Sequence, residues 1–451
     1  MDGRSNVGIK KAEKVLCMVL AMLMAIVITI NVSAGESISK AKIDEYLYTI
    51  AYSQQEQVKE PIYGSIDGEW NIIGLARYGA VTKDYISKYK ENLLKEVKAK
   101  DGVLSTRKYT EYSRVVIALT SIDENPTNFG GYNLLKPLAE FENVNKQGIN
   151  GSIYALIAIH SSNYKIPKPD KNYTGEVTTV KKLIEYIIKN QNSDGDWSMA
   201  DKSECDITAM AVQALSFYYT GSDKSVKKSV DKALKFLSRQ QNNDGGYSAE
   251  GISNCESTAQ VLMAISALNI NIEDSRFVKN GNTVLNGLLD YYSNGKFSHT
   301  KNGGYNHMAT EQGFCALTAY YRSLTIMNGF YDMADGISYQ KVSKKVLEKK
   351  KTAASKTKTT KTVKKTTKKS TKKNTSKSTV SDKDKEETTS VKNNTSDDAK
   401  VGEKEAKIND VNGKKNQSNR TEIVIGVIAA VVMVIAIIVY IIGKRKAENE
   451  K

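Results

Sequence analysis

The chain reads as an all-α protein: a toroid of six helical hairpins, followed by a disordered Lys/Thr-rich linker and a C-terminal transmembrane helix. Three observations predict this. A landmark stretch, Gln191-Asn192-Ser193-Asp194-Gly195-Asp196-Trp197 running through Glu204-Cys205-Asp206-Ile207-Thr208-Ala209 into Leu215, returns 50 residues later as Gln241 to Tyr247 and Cys255-Glu256-Ser257-Thr258-Ala259. It returns again in part as Asn302-Gly303-Gly304-Tyr305, Thr310-Glu311-Gln312 and Ala316–Tyr321. Apolar residues recur at helical spacing from Lys40 onward, without strand-like alternation. Finally, helices come in pairs, a charged one before an apolar one, and such a hairpin buries its apolar face only by stacking on its neighbours.

The first 34 residues carry Arg4, Lys10, Lys11 and Lys14 before the apolar run Val15–Ile30 and the small residues Val32-Ser33-Ala34. That order is the mark of an export signal, with an uncleaved anchor as the alternative. Residues 35–335 hold the toroid. Its pairs are expected at 40–55 with 70–79, 82–99 with 110–122, 134–146 with 150–160, 178–191 with 206–219, 225–241 with 256–268, and 277–293 with 311–326. In the fourth pair Ile207, Met210, Ala211, Ala214, Leu215 and Tyr218 follow i, i+3, i+4, i+7, i+8, i+11 with small residues between, which predicts a helix buried all round. Its predecessor sets Val180, Leu183, Ile184, Ile187 and Ile188 on one stripe against Lys181, Lys182, Glu185 and Lys189, which predicts a half-exposed helix. No polar capping repeat marks either end, so the six pairs are expected to close into an inner and an outer ring.

From Gly336 to residue 421 the pattern collapses into Lys, Thr and Ser and has little to bury, the composition of a disordered linker. The net charge of +16 is concentrated there: 341–380 holds 16 Lys against Glu348 alone, a net +15. The toroid itself is near neutral, which speaks against a nucleic-acid binder. The lysines are suited to an anionic cell wall or lipid surface. Residues 422–443 contain the uncharged run Ile423–Ile442, long enough to cross a bilayer, and the tail 444–451 opens with Lys444-Arg445-Lys446. This predicts a single-pass protein of the cell membrane with its N-terminal domain outside and its C-terminus in the cytoplasm. Cys205, Cys255 and Cys315 lie on helical segments, and so large a domain needs no disulfide scaffold.

The repeats resemble those of terpenoid cyclases and protein prenyltransferases, whose hairpins form an α6/α6 toroid with Gln-, Gly- and Trp-containing turns. Gln191…Gly195-Asp196-Trp197 carries the resemblance, as does Gln241…Gly245-Gly246-Tyr247. The chain is similar to exported bacterial prenyltransferase/squalene-oxidase repeat proteins through Trp70-Asn71-Ile72-Ile73-Gly74-Leu75-Ala76-Arg77, Gln147-Gly148-Ile149-Asn150-Gly151 and Ala309-Thr310-Glu311-Gln312-Gly313. It also resembles the helical domain of transcobalamin-like proteins.

What the resemblance implies about chemistry divides by residue. The cyclases' acid motif is Asp-x-Asp-Asp-Thr-Ala, and the aligned residues here are Glu204-Cys205-Asp206-Ile207-Thr208-Ala209. Asp206 and Glu204 are thus the catalytic candidates, but the neighbouring acid that would raise the central one's pKa is replaced by Ile207. The prenyltransferases bind zinc through Asp, Cys and His, which nominates Cys205, Cys255 and His307, and the transcobalamin relation nominates a corrinoid. The thioester motif of related complement domains lacks its thiol at Ala309-Thr310-Glu311-Gln312.

Two readings stand for the acids Asp206, Glu256 and Glu311, each placed at the start of an inner helix. They accept free N–H groups and complement the helix dipole, or they line a ligand cleft at one mouth of the ring with the turn aromatics Trp197, Tyr247 and Tyr305. The expected function is a tethered surface module binding an extracellular ligand or protein without catalysis. The other class is an enzyme acting on an isoprenoid or cell-envelope glycan at the toroid mouth.

Overall fold

A computed structural model describes residues 38–199 and 204–350. The export signal, the linker beyond residue 350 and the apolar run Ile423–Ile442 lie outside the described residues. Among the described residues no helix is long and apolar enough to cross a membrane.

Between Lys40 and Ser323 twelve α-helices are described. In chain order they are α1 (Lys40–Gln57), α2 (Trp70–Tyr78), α3 (Lys83–Ala99), α4 (Thr110–Ser121), α5 (Phe141–Val144), α6 (Ile149–His160), α7 (Val180–Lys189), α8 (Cys205–Ser216), α9 (Lys224–Gln240), α10 (Cys255–Ala267), α11 (Val284–Leu289) and α12 (His307–Ser323). The even-numbered helices α2, α4, α6, α8, α10 and α12 each pack on the next, and α12 packs on α2, so the inner ring closes. At the seam, a Cβ on Gly74 would sit 2.8 Å from the ring of Phe314, a separation real side chains do not tolerate. Glycine there lets the first and last inner helices touch.

Inner helices are buried nearly all round, as their composition predicts. Every residue of α10 from Cys255 to Ser266 is buried. The outer helices bury one stripe: in α7 it is Leu183, Ile184 and Ile187, with the lysines outside. Outer helices begin on side-chain caps, because their first N–H groups otherwise face solvent unpaired. Ser39 accepts from the amide of Lys42, Thr82 from Tyr85, Thr179 from Lys182 and Asp223 from Ser225.

The turn motif explains its own residue types. Gln191 Nε2 donates to the carbonyls of Gly195 (2.8 Å) and Ser229 (2.9 Å), tying the end of one hairpin to the next outer helix. Gln241 repeats this with Gly245 and Phe277, both at 3.0 Å. Gly195 adopts φ +99°, and a Cβ there would lie 2.7 Å from the Lys232 carbonyl oxygen.

Several expectations need correction. The third outer helix, expected over 134–146, is broken into the 3₁₀ turns Lys136–Ala139 and Asn145–Gln147 around the four-residue α5. Pro137 supplies no N–H, and Glu140 is extended. The sixth, expected over 277–293, is the six-residue α11 between small hairpins, so strands are present after all. They are β1 (Tyr247–Ala249) with β2 (Ile252–Asn254), β3 (Val278–Lys279) with β4 (Asn282–Thr283), and β5 (Tyr292–Ser293) with β6 (Lys296–Phe297), all antiparallel. The folded unit also runs past Gly336. Val342 and Leu347 belong to the hydrophobic core, and residues 344–350 are helical.

Residues 324–343 form a strap across the mouth where the inner helices end. Met333 donates its amide to the Ser161 carbonyl, Ile337 to the Asp123 carboxylate, Gln340 to the Val81 carbonyl and Ser343 to the Tyr48 hydroxyl. Two arginines clasp it. Arg77 donates to the carbonyls of Phe330, Gly329 and Asp332, and Arg322 to those of Asn328 and Arg77. Both guanidiniums also meet the Asp335 carboxylate, Arg77 at 2.7 Å.

Candidate functional site

The inner helices start at the other mouth, and there the chain gathers its carboxylates. The loop before α2 brings Asp67 and Glu69 to α12 and α4. Glu69 is fully buried, with its Oε2 at 2.8 Å from Arg114 Nε and further bonds from the Gly64 amide and the Tyr89 hydroxyl. Burial raises its carboxyl pKa, with the Arg114 charge opposing. Glu311, 2% exposed, accepts the backbone N–H of Asp67 on Oε1 at 2.7 Å. Burial, with the Asp67 and Glu69 carboxylates adding to it, pushes its pKa up to about 8. The Asp67 side chain meets His307 Nδ1 at 2.6 Å, and the Tyr305 ring centroid lies 4.5 Å from that of His307. Tyr63 donates to Glu111 at 2.8 Å.

The other nominated acids sit around the same rim. Glu256, in the first turn of α10, holds His299 Nδ1 at 2.8 Å through Oε2, while its buried Oε1 has no hydrogen-bond partner among the described residues. Asp206 lies in the first turn of α8, half-buried. Glu204 accepts the Met199 amide at 2.7 Å rather than capping its helix. Glu311 is not at a helix start: Asn306 caps α12 by accepting the Ala309 amide, so the helix begins at His307 and Glu311 stands one turn inside.

The turn aromatics separate into two kinds. Trp197 is fully buried and donates its indole N–H to the Ile187 carbonyl at 2.6 Å, while Tyr247 is fully buried and donates to the Leu237 carbonyl at 3.0 Å. Neither ring faces the mouth. The Trp197 and Tyr247 amides each donate to a threonine, Thr208 and Thr258, at 3.0 Å, and the third copy of this bond is Phe297 to Thr310 at 2.9 Å. Phe297 is therefore the counterpart of Trp197 and Tyr247, not Tyr305. The signal was in the numbering, because 197, 247 and 297 keep the 50-residue step. Tyr305 stays half-buried at the rim beside Lys296.

The zinc candidates do not form a donor set. The Cys255 thiol donates to the Ala309 carbonyl at 3.6 Å, burial pushes the Cys205 thiol up to about 12, and His307 is committed to Asp67. A thiolate is what a metal needs, and burial disfavours it here. Among the described residues no group of three or more His, Cys, Asp or Glu is placed to hold a metal ion.

The ring axis is filled by the chain itself. Trp70, Tyr154, Met210, Gln260, Gln312 and Cys315 project inward and Tyr331 enters from the strap, leaving about 40 Å³. Gln213, Gln260 and Gln312 link α8, α10 and α12 by amide hydrogen bonds of 3.0 Å.

No curated protein matches the chain. A family model, the prenyltransferase alpha-alpha toroid domain, matches residues 102–353, more than half of the chain and most of the closed ring just described. The chain belongs to the prenyltransferase α/α-toroid family.

Proposed function

We propose that the protein is a membrane-tethered module of the cell surface whose toroid binds an extracellular ligand or protein without catalysing a reaction. The observation that carries this reading is the filled stretch of the axis between Trp70, Tyr154, Met210 and Gln312, where about 40 Å³ remains. Contact would then fall to the rim, to the half-buried Asp206, Glu204 and Tyr305, with Glu256 and Glu311 buried beneath them. The tether rests on sequence, on Ile423–Ile442 and the basic residues after it. The lysines of the linker would meet anionic wall polymers or lipid.

The test is the melting temperature of the detergent-solubilised full chain with glycans, corrinoids and isoprenoid phosphates. Binding to the native state raises it by mass action. A rise with one class, abolished by Asp206→Ala with Glu256→Ala, supports a ligand site at the rim. Turnover of any of these compounds would overturn the non-catalytic reading.

One observation favours a second reading, an enzyme acting on a glycan or isoprenoid at the mouth. Glu311 keeps its proton near neutrality, and on the same face of α12, one turn away, His307 has its tautomer set by Asp67. Product formation lost in both Glu311→Gln and His307→Asn would establish it.

A further inference from the structure

A recess lies at the strapped mouth, away from the carboxylates of the other mouth. It encloses about 340 Å³, within the range of small-molecule sites, where the C-terminal ends of α8, α10 and α12 meet the strap. Three of its hydroxyls and one amide offer acceptors. Ser216 Oγ donates to the Gln213 carbonyl, Ser323 Oγ to the Tyr320 carbonyl and Thr325 Oγ1 to the Arg322 carbonyl, each at 2.7 Å. Each hydroxyl proton is thus spent on its own backbone, and lone pairs are what remain. The Gln213 amide N–H groups go to Gln260, leaving its oxygen as an acceptor. Ser266 Oγ is buried at the wall with no partner among the described residues.

Charge and shape point the same way. Three helix C-termini converge here, each bringing roughly half a negative charge. Asp332 stands at the wall, where its carboxylate accepts the Ala334 amide at 3.2 Å and forms no ion pair among the described residues. Phe217, Phe330 and Tyr331 supply aromatic walls, and aromatic faces attract cations. Arg322 is the opposing feature. Its N–H groups, however, are directed to the Asn328 and Arg77 carbonyls and to Asp335.

We propose that this recess binds a protonated amine carried on a compact apolar group. The ammonium N–H groups would meet the acceptor oxygens and Asp332, and the apolar part would lie against Phe217, Met263 and Phe330. This site is separate from the acidic rim, so either reading can fail without the other.

The test uses the full chain in nanodiscs of zwitterionic lipid, labelled with ¹³C at the methionine methyls, because Met263 and Met327 both line the recess. Benzylammonium, benzyl alcohol and benzoate present one ring with three charges. The expected result is a shift of the Met263 and Met327 methyls, with benzylammonium binding about tenfold tighter than the alcohol, the step that roughly 1.4 kcal/mol of cation attraction gives, and benzoate weakest. Asp332→Asn should remove most of that preference and leave benzyl alcohol unchanged. Equal binding of alcohol and ammonium, tighter binding of benzoate, or no shift of either methyl would overturn the proposal. The wild-type charge series decides the matter even if the variant does not fold.

Discussion

The two mouths of the ring handle buried charge differently. Where the inner helices end, two arginines share Asp335 and donate further N–H groups to backbone carbonyls, those of the strap and, from Arg322, that of Arg77. Where the inner helices begin, Glu69 has an arginine, but Glu311 has only one backbone amide and two neighbouring carboxylates. The first arrangement stays charged and pins a segment in place. The second favours a proton over a counter-ion, which makes that mouth the responsive one.

This contrast can be broken from either side. The largest effect is expected for Asp335→Ala, which strips the carboxylate from two buried guanidiniums and should cost about 3–5 kcal/mol in denaturant unfolding. Protease sensitivity within 324–343 would show that the strap has been released. At the other mouth, Phe297→Ala should cost about 3–4 kcal/mol by opening a cavity, whereas Tyr305→Ala at the rim should cost under about 1 kcal/mol. Equal losses would mean that the two rings are not divided between core and rim.

Glu311→Gln reads the proton directly. The folded carboxyl titrates near 8 against an ordinary 4.5, so the folded state holds a proton that the unfolded chain releases. Its contribution is present below pH 4.5 and is lost as pH rises toward 8. The unfolding free energy of the variant should therefore fall less than that of wild type between pH 5 and 8, with a difference on the order of 2–4 kcal/mol at the upper end. A parallel fall in both proteins would sink the assignment. The smallest effect belongs to His307→Asn: its side chain is 41% exposed and that of Asp67 34%, so the loss should stay below about 1 kcal/mol.

The second half of the ring was the legible part. A 50-residue step fixes Gln191 and Gln241, Cys205 and Cys255, and their structural roles coincide. The same step reaches Phe297, but the motif Gly303-Gly304-Tyr305 draws attention to a later turn, because two more residues separate Phe297 from Thr310 than separate Tyr247 from Thr258. The small hairpins were also written in the sequence. Asn280-Gly281 and Asn294-Gly295 both take positive φ at their turns, a strong short-range hairpin signal that helical periodicity masked. The acidic mouth was only partly readable. Asp206 and Glu256 follow from their helix starts, whereas Asp67 and Glu69 reach Glu311 across more than 240 residues, a proximity created by ring closure. The strap could not be read, since Phe330, Tyr331 and Met333 show no period and their clasp joins Arg77 to Asp335 across 258 residues.

Closure at Gly74 and Phe314 has a further consequence for how the ring comes apart. An open array of repeats frays from its ends, so amide protection is graded from the middle outward. Here the first and last inner helices cover one another, and no hairpin is terminal. Slow hydrogen exchange should therefore be spread evenly over α2, α4, α6, α8, α10 and α12, and widening the seam with Gly74→Val should turn that even protection into a gradient beginning at α2 and α12.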